Sequence, residues 1–154
     1  MRCSTTCLAR RLPGTLDALD DVSAFILDVA RRAGLDRRRS YRLRLAADEI
    51  ATNVVTHGYA DGRSGELWMT ADISAMELTV SLEDAGPAFN PMRHRWRPRI
   101  NAPLQGRKEG GLGLYLVRRS VDRFCYERRC GRNRNTLVMQ LGDRLSPHGE
   151  AGSK

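Results

Sequence analysis

Lysine is nearly missing from this sequence: Lys108 and Lys154 are the only two, and almost all the positive charge is arginine. With a net charge of +8 and arginine clusters at 36–40, 93–99 and 127–134, nucleic acid, anionic nucleotides and acidic proteins are all compatible partners. Genome composition gives the same bias, so charge alone decides nothing. The arginines are scattered over several segments without a recognisable DNA-binding motif, which argues against direct nucleic-acid binding. Long apolar runs are missing too. None approaches the ~20 residues of a membrane-spanning helix, and "MRCSTTCLARRLPG" holds no sustained hydrophobic region of the secretory kind. A cytoplasmic protein without membrane association is the expectation. Cysteine is sparse, and Cys3, Cys7, Cys125 and Cys130 lack the tight Cys-x-x-Cys spacing of a zinc ribbon. Reduced thiols are expected in a cytoplasm, unless the two loose pairs converge on a metal. Internal repeats and low-complexity segments are absent.

What remains is a chain of 154 residues, 41% apolar and 6% aromatic, enough for one domain with one core. That domain is expected over 1–141, with 142–154 as a polar, frayed tail. Residues 7–12 predict a short strand ended by Pro13-Gly14. Leu16, Leu19, Val22, Phe25, Ile26, Val29 and Ala33 recur at helical spacing, predicting a helix over 15–33 with Thr15 as N-cap and Gly34 as C-cap. A second helix is predicted over 40–57, ending at Gly58. The period then changes: 66–73 and 77–84 are strand-like, with Leu78, Val80 and Leu82 alternating with polar neighbours. Residues 85–110 combine glycine, proline and charge without periodicity, which marks a functional loop or lid. A helix over 111–122 follows, then strands at 123–129 and 135–141 around a turn at 131–134. Paired strands with segregated helices predict an α+β fold, a two-layer sandwich of a mostly antiparallel sheet and helices. Regular βαβ alternation is missing, which argues against a doubly wound parallel sheet.

Three segments carry chemistry. On a helical wheel of ~100° per residue, Leu43, Ala46, Ala47, Ile50 and Val54 share an apolar arc. Glu49, Asn53 and Thr56 form a stripe along its edge, and Asp48 points to solvent. Glu49 and Asn53 stand four apart and can converge on one ligand. A carboxylate with an amide oxygen suits a hard cation such as Mg²⁺, and a carboxylate there can take a proton from an attacking hydroxyl. A boundary pair bonded to nearby backbone has the same pattern. In "EDAGPAFNP", Asp84 at a strand end could accept a hydrogen bond from an exocyclic amine such as that of adenine, with Gly86 allowing close approach; an Asp-x-Gly turn reads identically. In "KEGGLGLYLVRRS", Gly110, Gly111 and Gly113 precede a helix, so free N–H groups can face phosphates, with Lys108 adding charge. A glycine hinge ahead of a helix is the other reading. The missing Gly-Lys-Ser/Thr ending excludes a Walker loop, and a missing third glycine excludes a dinucleotide fingerprint. The Lys-bearing strand and His-Arg-Asp loop of eukaryotic-type protein kinases are missing as well.

In order and separation these motifs resemble the ATP-binding fold, of Bergerat type, shared by gyrase, Hsp90, histidine kinases and MutL. "DEIATN" is similar to its N-box, "DAGPAF" to its first glycine box, "GGLGL" to its second and "RNRNTLVMQL" to its last. The compact length, the "THGY" ending of the N-box helix and the lack of a dimerisation-and-histidine segment narrow the resemblance. It is to the small serine-protein kinases that act as anti-sigma factors in bacterial partner switching, over roughly residues 7–141. The resemblance implies that Glu49 is the catalytic base for a substrate serine hydroxyl and that Asn53 coordinates Mg²⁺ bridging the ATP phosphates. It implies that Asp84 binds the adenine amino group beside Gly86, and that Ala88 stands where the family often has a second glycine. Further nucleotide contacts are implied from Gly110, Gly111, Leu112, Gly113 and Leu114, from Lys108 or Arg107 at the terminal phosphate, and from Thr136 at the adenine edge. Residues 90–110 would be the ATP lid. The implied cofactors are ATP and Mg²⁺. The implied partners are a STAS-fold antagonist protein phosphorylated on serine or threonine, a sigma factor or similar regulator, and a second copy in a homodimer. A nucleotide-dependent anti-sigma binding module without kinase activity is the alternative. The retained Glu49 argues against it, since binding alone needs no base.

Overall fold

The computed structural model describes residues 5–59, 65–90 and 111–142, the first four residues of the last span by their backbone only. Strand β1 is Thr6–Pro13. A single 3-10 turn at Leu16–Ala18 leads into helix α1, Leu19–Ala33. Helix α2 spans Arg37–Asn53 and runs into a π-helical turn at Val54–Gly58. Strands β2 (Glu66–Ile73) and β3 (Glu77–Asp84) precede helix α3 (Gly111–Ser120), and strands β4 (Arg123–Arg129) and β5 (Arg132–Gln140) complete the described chain.

The five strands form one sheet in the order β1-β2-β3-β5-β4, with every neighbouring pair antiparallel. The expected α+β sandwich is the fold adopted. Period-2 alternation puts Leu67, Met69 and Ala71 of β2 and Leu78, Val80 and Leu82 of β3 on one face, all buried. Helix α2 lies between α1 and α3 over that face. Val22, Ile26 and Val29 of α1 and Leu43, Ala46, Ala47 and Ile50 of α2 complete the core. The chain's exposed ion pairs, such as Arg11–Glu66 and Arg31–Asp28, are screened by solvent and contribute little. The fold therefore rests on apolar burial rather than on its arginines. No described helix is long and apolar enough to cross a membrane.

The structure departs locally from the sequence expectations. Thr15 makes no side-chain capping bond. Helix α2 begins three residues earlier than predicted because Asp36 caps it, its carboxylate accepting from the Arg39 N–H at 2.8 Å. The arginines that follow show no apolar period and hide that start. Asp48, expected in solvent, is half-buried. It accepts from Ser23 Oγ of α1 at 2.7 Å and pairs with Arg44 at 3.3 Å, because α1 packs along that flank of α2. The β4–β5 hairpin closes on Cys130 and Gly131, with φ of 52° and 75°, the two positive-φ residues of a tight hairpin turn. Strand β5 thus starts at Arg132 rather than 135, and Asn133 enters the ladder opposite Asp84.

Candidate functional site

At one end of the sandwich, the last turn of α2 and its π turn face the ends of β3 and β5. Between them lies a cavity of about 140 Å³, walled by Ile50, Asn53, Val54, His57 and Gly58 on the helix side. Asp84, Pro87, Ala88 and Phe89 follow β3, and Asn133 and Asn135 come from β5. A mainly apolar cavity of about 150 Å³ takes an aromatic ring, and apolar walls with a few fixed polar groups are the usual make-up of a small-molecule site.

Asp84 is the cavity's charged group and is 3% exposed. Its Oδ1 accepts from the Gly86 N–H at 2.9 Å and from Asn133 Nδ2 at 3.0 Å. Among the described residues Oδ2 takes no hydrogen bond, so it is the oxygen left for a ligand. Burial pushes the Asp84 carboxyl above its ordinary value, while the Asn133 and Gly86 donors and the Arg128 charge pull it back. Beneath this carboxylate, Tyr59 joins three segments. Its hydroxyl donates to the Glu66 carbonyl at 2.8 Å and accepts from the Ala85 N–H at 3.1 Å. Burial, more than the nearby carboxylates, raises the Tyr59 phenol, which keeps it a neutral donor.

At Gly86 the close approach in the structure is that of the protein's own backbone. A Cβ there would stand 3.0 Å from Asp84 Oδ1, 3.2 Å from Gly58 Cα and 3.3 Å from the Gly58 carbonyl, and backbone cannot swing aside. Gly86→Ala is therefore expected to destabilise by about 1–3 kcal/mol, lowering the melting temperature and weakening nucleotide binding together. A thermal melt and a nucleotide titration on the same sample check it.

Of the other expected site residues, Asn53 and Ala88 line the cavity with Asp84. Glu49 does not. It stands one turn back from Asn53, half-buried, without a hydrogen bond or ion pair among the described residues. Thr136 is also placed elsewhere. It pairs with Ser81, and its Oγ1 lies 3.3 Å from Ser81 Oγ, on the sheet face opposite Asp84. Alternation gives the cavity face to Asn133 and Asn135 instead. Gly111 and Gly113 fall in the first turn of α3, where backbone N–H groups have no intrahelical partner. Leu112 and Leu114 belong to the same turn. Lys108, Gly110 and most of the 90–110 lid lie outside the described residues.

Sequence reasoning missed His57, Asn133 and Asn135. His57 was within reach, being four residues after Asn53. Asn133 and Asn135 follow by counting back in twos from the apolar positions Met139 and Leu137. For a metal, the side chains here offer the Asn53 amide oxygen, and no group of three or more His, Cys, Asp or Glu converges among the described residues. That donor set fits a hard cation that keeps waters and takes further oxygens from a phosphate chain.

The family described as histidine kinase-like ATPase domain matches residues 12–141. The serine/threonine-protein kinase BtrW of Bordetella bronchiseptica is 28% identical over 124 residues, covering 80% of this chain and 87% of that protein. The serine-protein kinase RsbW of Oceanobacillus iheyensis is 30% identical over 97 residues, 61% of each chain. Among solved structures, one of the RsbU and RsbW domains of a Mycobacterium tuberculosis protein superposes with a TM-score of 0.61 at 21% identity. The match covers 88% of this chain and 32% of that longer one, a likeness of fold.

Proposed function

Because this chain belongs to the histidine kinase-like ATPase domain family, we propose that the Asp84 cavity binds ATP and that the chain passes its terminal phosphoryl group to a serine or threonine of a partner protein. The activity is that of a protein serine/threonine kinase, the class for which BtrW and RsbW are named. The observation that carries the reading is the cavity itself. It sets a buried carboxylate with one uncommitted oxygen across from Asn53, between apolar walls.

In this reading Asp84 accepts from the adenine amino group, and Ile50, Val54 and Phe89 exclude water from the base. Asn53 would hold Mg²⁺, which when bound neutralises phosphate charge. Gly111 and Gly113 point backbone donors at the phosphates, with Lys108, Gly110, Leu112 and Leu114 completing that end. Glu49 takes the proton of the incoming hydroxyl. Phosphoryl transfer asks for little beyond such positioning and charge neutralisation. The resemblance to partner-switching kinases extends the proposal to a STAS-fold antagonist as substrate, a sigma factor or similar regulator as client, a homodimer and a cytoplasmic setting.

The test is incubation with terminally labelled ATP, Mg²⁺ and a STAS-fold antagonist, with label expected on a serine or threonine of the antagonist. A binding module that never transfers phosphate is the competing reading, favoured by Glu49 standing outside the cavity wall; nucleotide binding without label transfer would establish it. Asn53→Ala is expected to weaken Mg²⁺-ATP binding by roughly tenfold or more, ~1.4 kcal/mol. Unchanged calorimetric affinity would remove Asn53 from metal ligation.

A further inference from the structure

Asn133 is an asparagine 3% exposed inside the β4–β5 hairpin. Its Nδ2 donates to Asp84 Oδ1 at 3.0 Å and to the Pro87 carbonyl at 2.9 Å. Its Oδ1 accepts from the Tyr126 hydroxyl at 2.6 Å, from Arg128 at 3.0 Å and from the Phe89 N–H at 3.4 Å. Arg128 and the Phe89 amide can only donate, so they fix which end of the amide faces them. The NH₂ end must then face Asp84 and Pro87. Asn133 thereby joins the acid to the 87–89 loop, which forms part of the cavity wall.

We propose that Asn133 is the positioning residue for purine selection: by occupying one oxygen of Asp84 it leaves the other as a pure acceptor, so the cavity takes a six-amino purine triphosphate and rejects a six-keto one. The proposal rests on Asp84 being the base acceptor. With Oδ1 satisfied by Gly86 and Asn133, an ionised Asp84 meets the ligand through Oδ2, which accepts and never donates. An amine at the six-position completes that bond. A keto oxygen there would set acceptor against acceptor in a buried place, the mismatch that binding sites reject most strongly.

The groups facing Asp84 are Arg128 from β4, Tyr59 after the π turn and His57 on the cavity wall, while β5 and β2 contribute the neutral Asn133, Asn135 and Leu67. Removing Asn133 takes away the foremost of the donors that offset burial of the carboxyl. Asp84 then keeps its proton to higher pH, and a protonated carboxyl can donate to a keto oxygen. Discrimination should fall, and return as pH rises.

The experiment measures ATP and inosine triphosphate affinities for the wild type, Asn133→Leu, Arg128→Met and Asp84→Asn between about pH 6 and about pH 8.5. The series is repeated in a His57→Gln background, which takes the imidazole out of the cavity wall. The wild type is expected to prefer ATP by about 100-fold. Asn133→Leu should lose roughly tenfold of that preference, with the larger loss at the acid end of the range. Arg128 is exposed, so Arg128→Met keeps the core and should move the ratio the same way by less. If Asn133→Leu weakens both nucleotides equally at every pH, Asn133 is merely structural and the proposal is overturned. Should that variant fail to fold, an unchanged ratio in Arg128→Met overturns it instead. A preference untouched by Asp84→Asn would sink the adenine reading itself. Loss there, with retention in the other two variants, sinks only the role of Asn133.

Discussion

Replacing Glu49 by glutamine is expected to leave ATP affinity unchanged while slowing phosphate transfer to protein by about 10²–10⁴-fold, the usual contribution of a general base. The two effects separate because of where Glu49 sits. It lies one turn before Asn53, about 6 Å along the axis at 1.5 Å per residue, and outside the residues that wall the cavity. In the proposed binding mode the adenine base is therefore held without it. It is half-buried and engages no partner among the described residues, so its carboxylate has no structural duty that glutamine would fail to perform. A carboxylate left without a partner one turn from Asn53, the proposed Mg²⁺ ligand, is placed to accept a proton from a hydroxyl brought by another protein. Single-turnover transfer from labelled ATP to a STAS-fold antagonist measures the rate, and calorimetry with ATP measures the affinity. Transfer at the wild-type rate would remove Glu49 from the chemistry and favour a non-catalytic binding module.

The helices, the strand segments and part of the cavity were legible because they follow from repeating patterns. Leu78, Val80 and Leu82 fix the inward face of β3, and Asp84 continues the same alternation, so its burial is implied by its position. The helix-wheel stripe fared less well at its far end. Thr56 was grouped with Glu49 and Asn53, yet it is exposed and its Oγ1 donates back to the Thr52 carbonyl at 2.7 Å. The π turn that begins at Val54 changes the number of residues per turn, so the phase drifts and His57 takes the cavity position. On β5 the error was one of parity. Side chains alternate, so a one-residue displacement exchanges the faces. Thr136 against Asn135 is that exchange. Thr136 was named by the resemblance, whereas alternation from Leu137 and Met139 gives the cavity face to Asn135. The turn, expected over 131–134, closes instead on Cys130-Gly131. Once the strand is extended back to Arg132, Asn133 stops being a loop residue and becomes the partner of Asp84.

Asp84→Asn should separate stability from function most sharply. Burial raises the Asp84 carboxyl relative to the unfolded chain, so this group's stabilising contribution is fully present below the unfolded carboxylate value and is lost as pH rises through the folded one. At neutral pH the ionised acid is therefore a cost to the empty protein. Asparagine has nearly the same shape. Its amide oxygen can go on accepting from the Gly86 N–H and from Asn133, while an NH₂ takes the place of Oδ2. The ligand-free variant should melt above the wild type at neutral pH, with the gap closing as pH falls toward the carboxylate range. Binding moves the other way. The adenine amine, itself a donor, now meets a donor, and loss of a charge-assisted hydrogen bond worth about 1.5–3 kcal/mol lowers affinity roughly 10–100-fold. For the wild type, ATP at 100 times its Kd adds about 2.7 kcal/mol. At roughly 2–4 °C per kcal/mol for a chain of this size, that is a rise of about 5–10 °C; in the variant at the same ATP concentration about half of this rise or more should vanish. A full ATP-induced rise would detach Asp84 from the base, and a lower ligand-free melting temperature at neutral pH would show that the carboxylate stabilises the fold after all. Higher empty stability with lost nucleotide response is the pattern expected of an acid kept buried for its ligand.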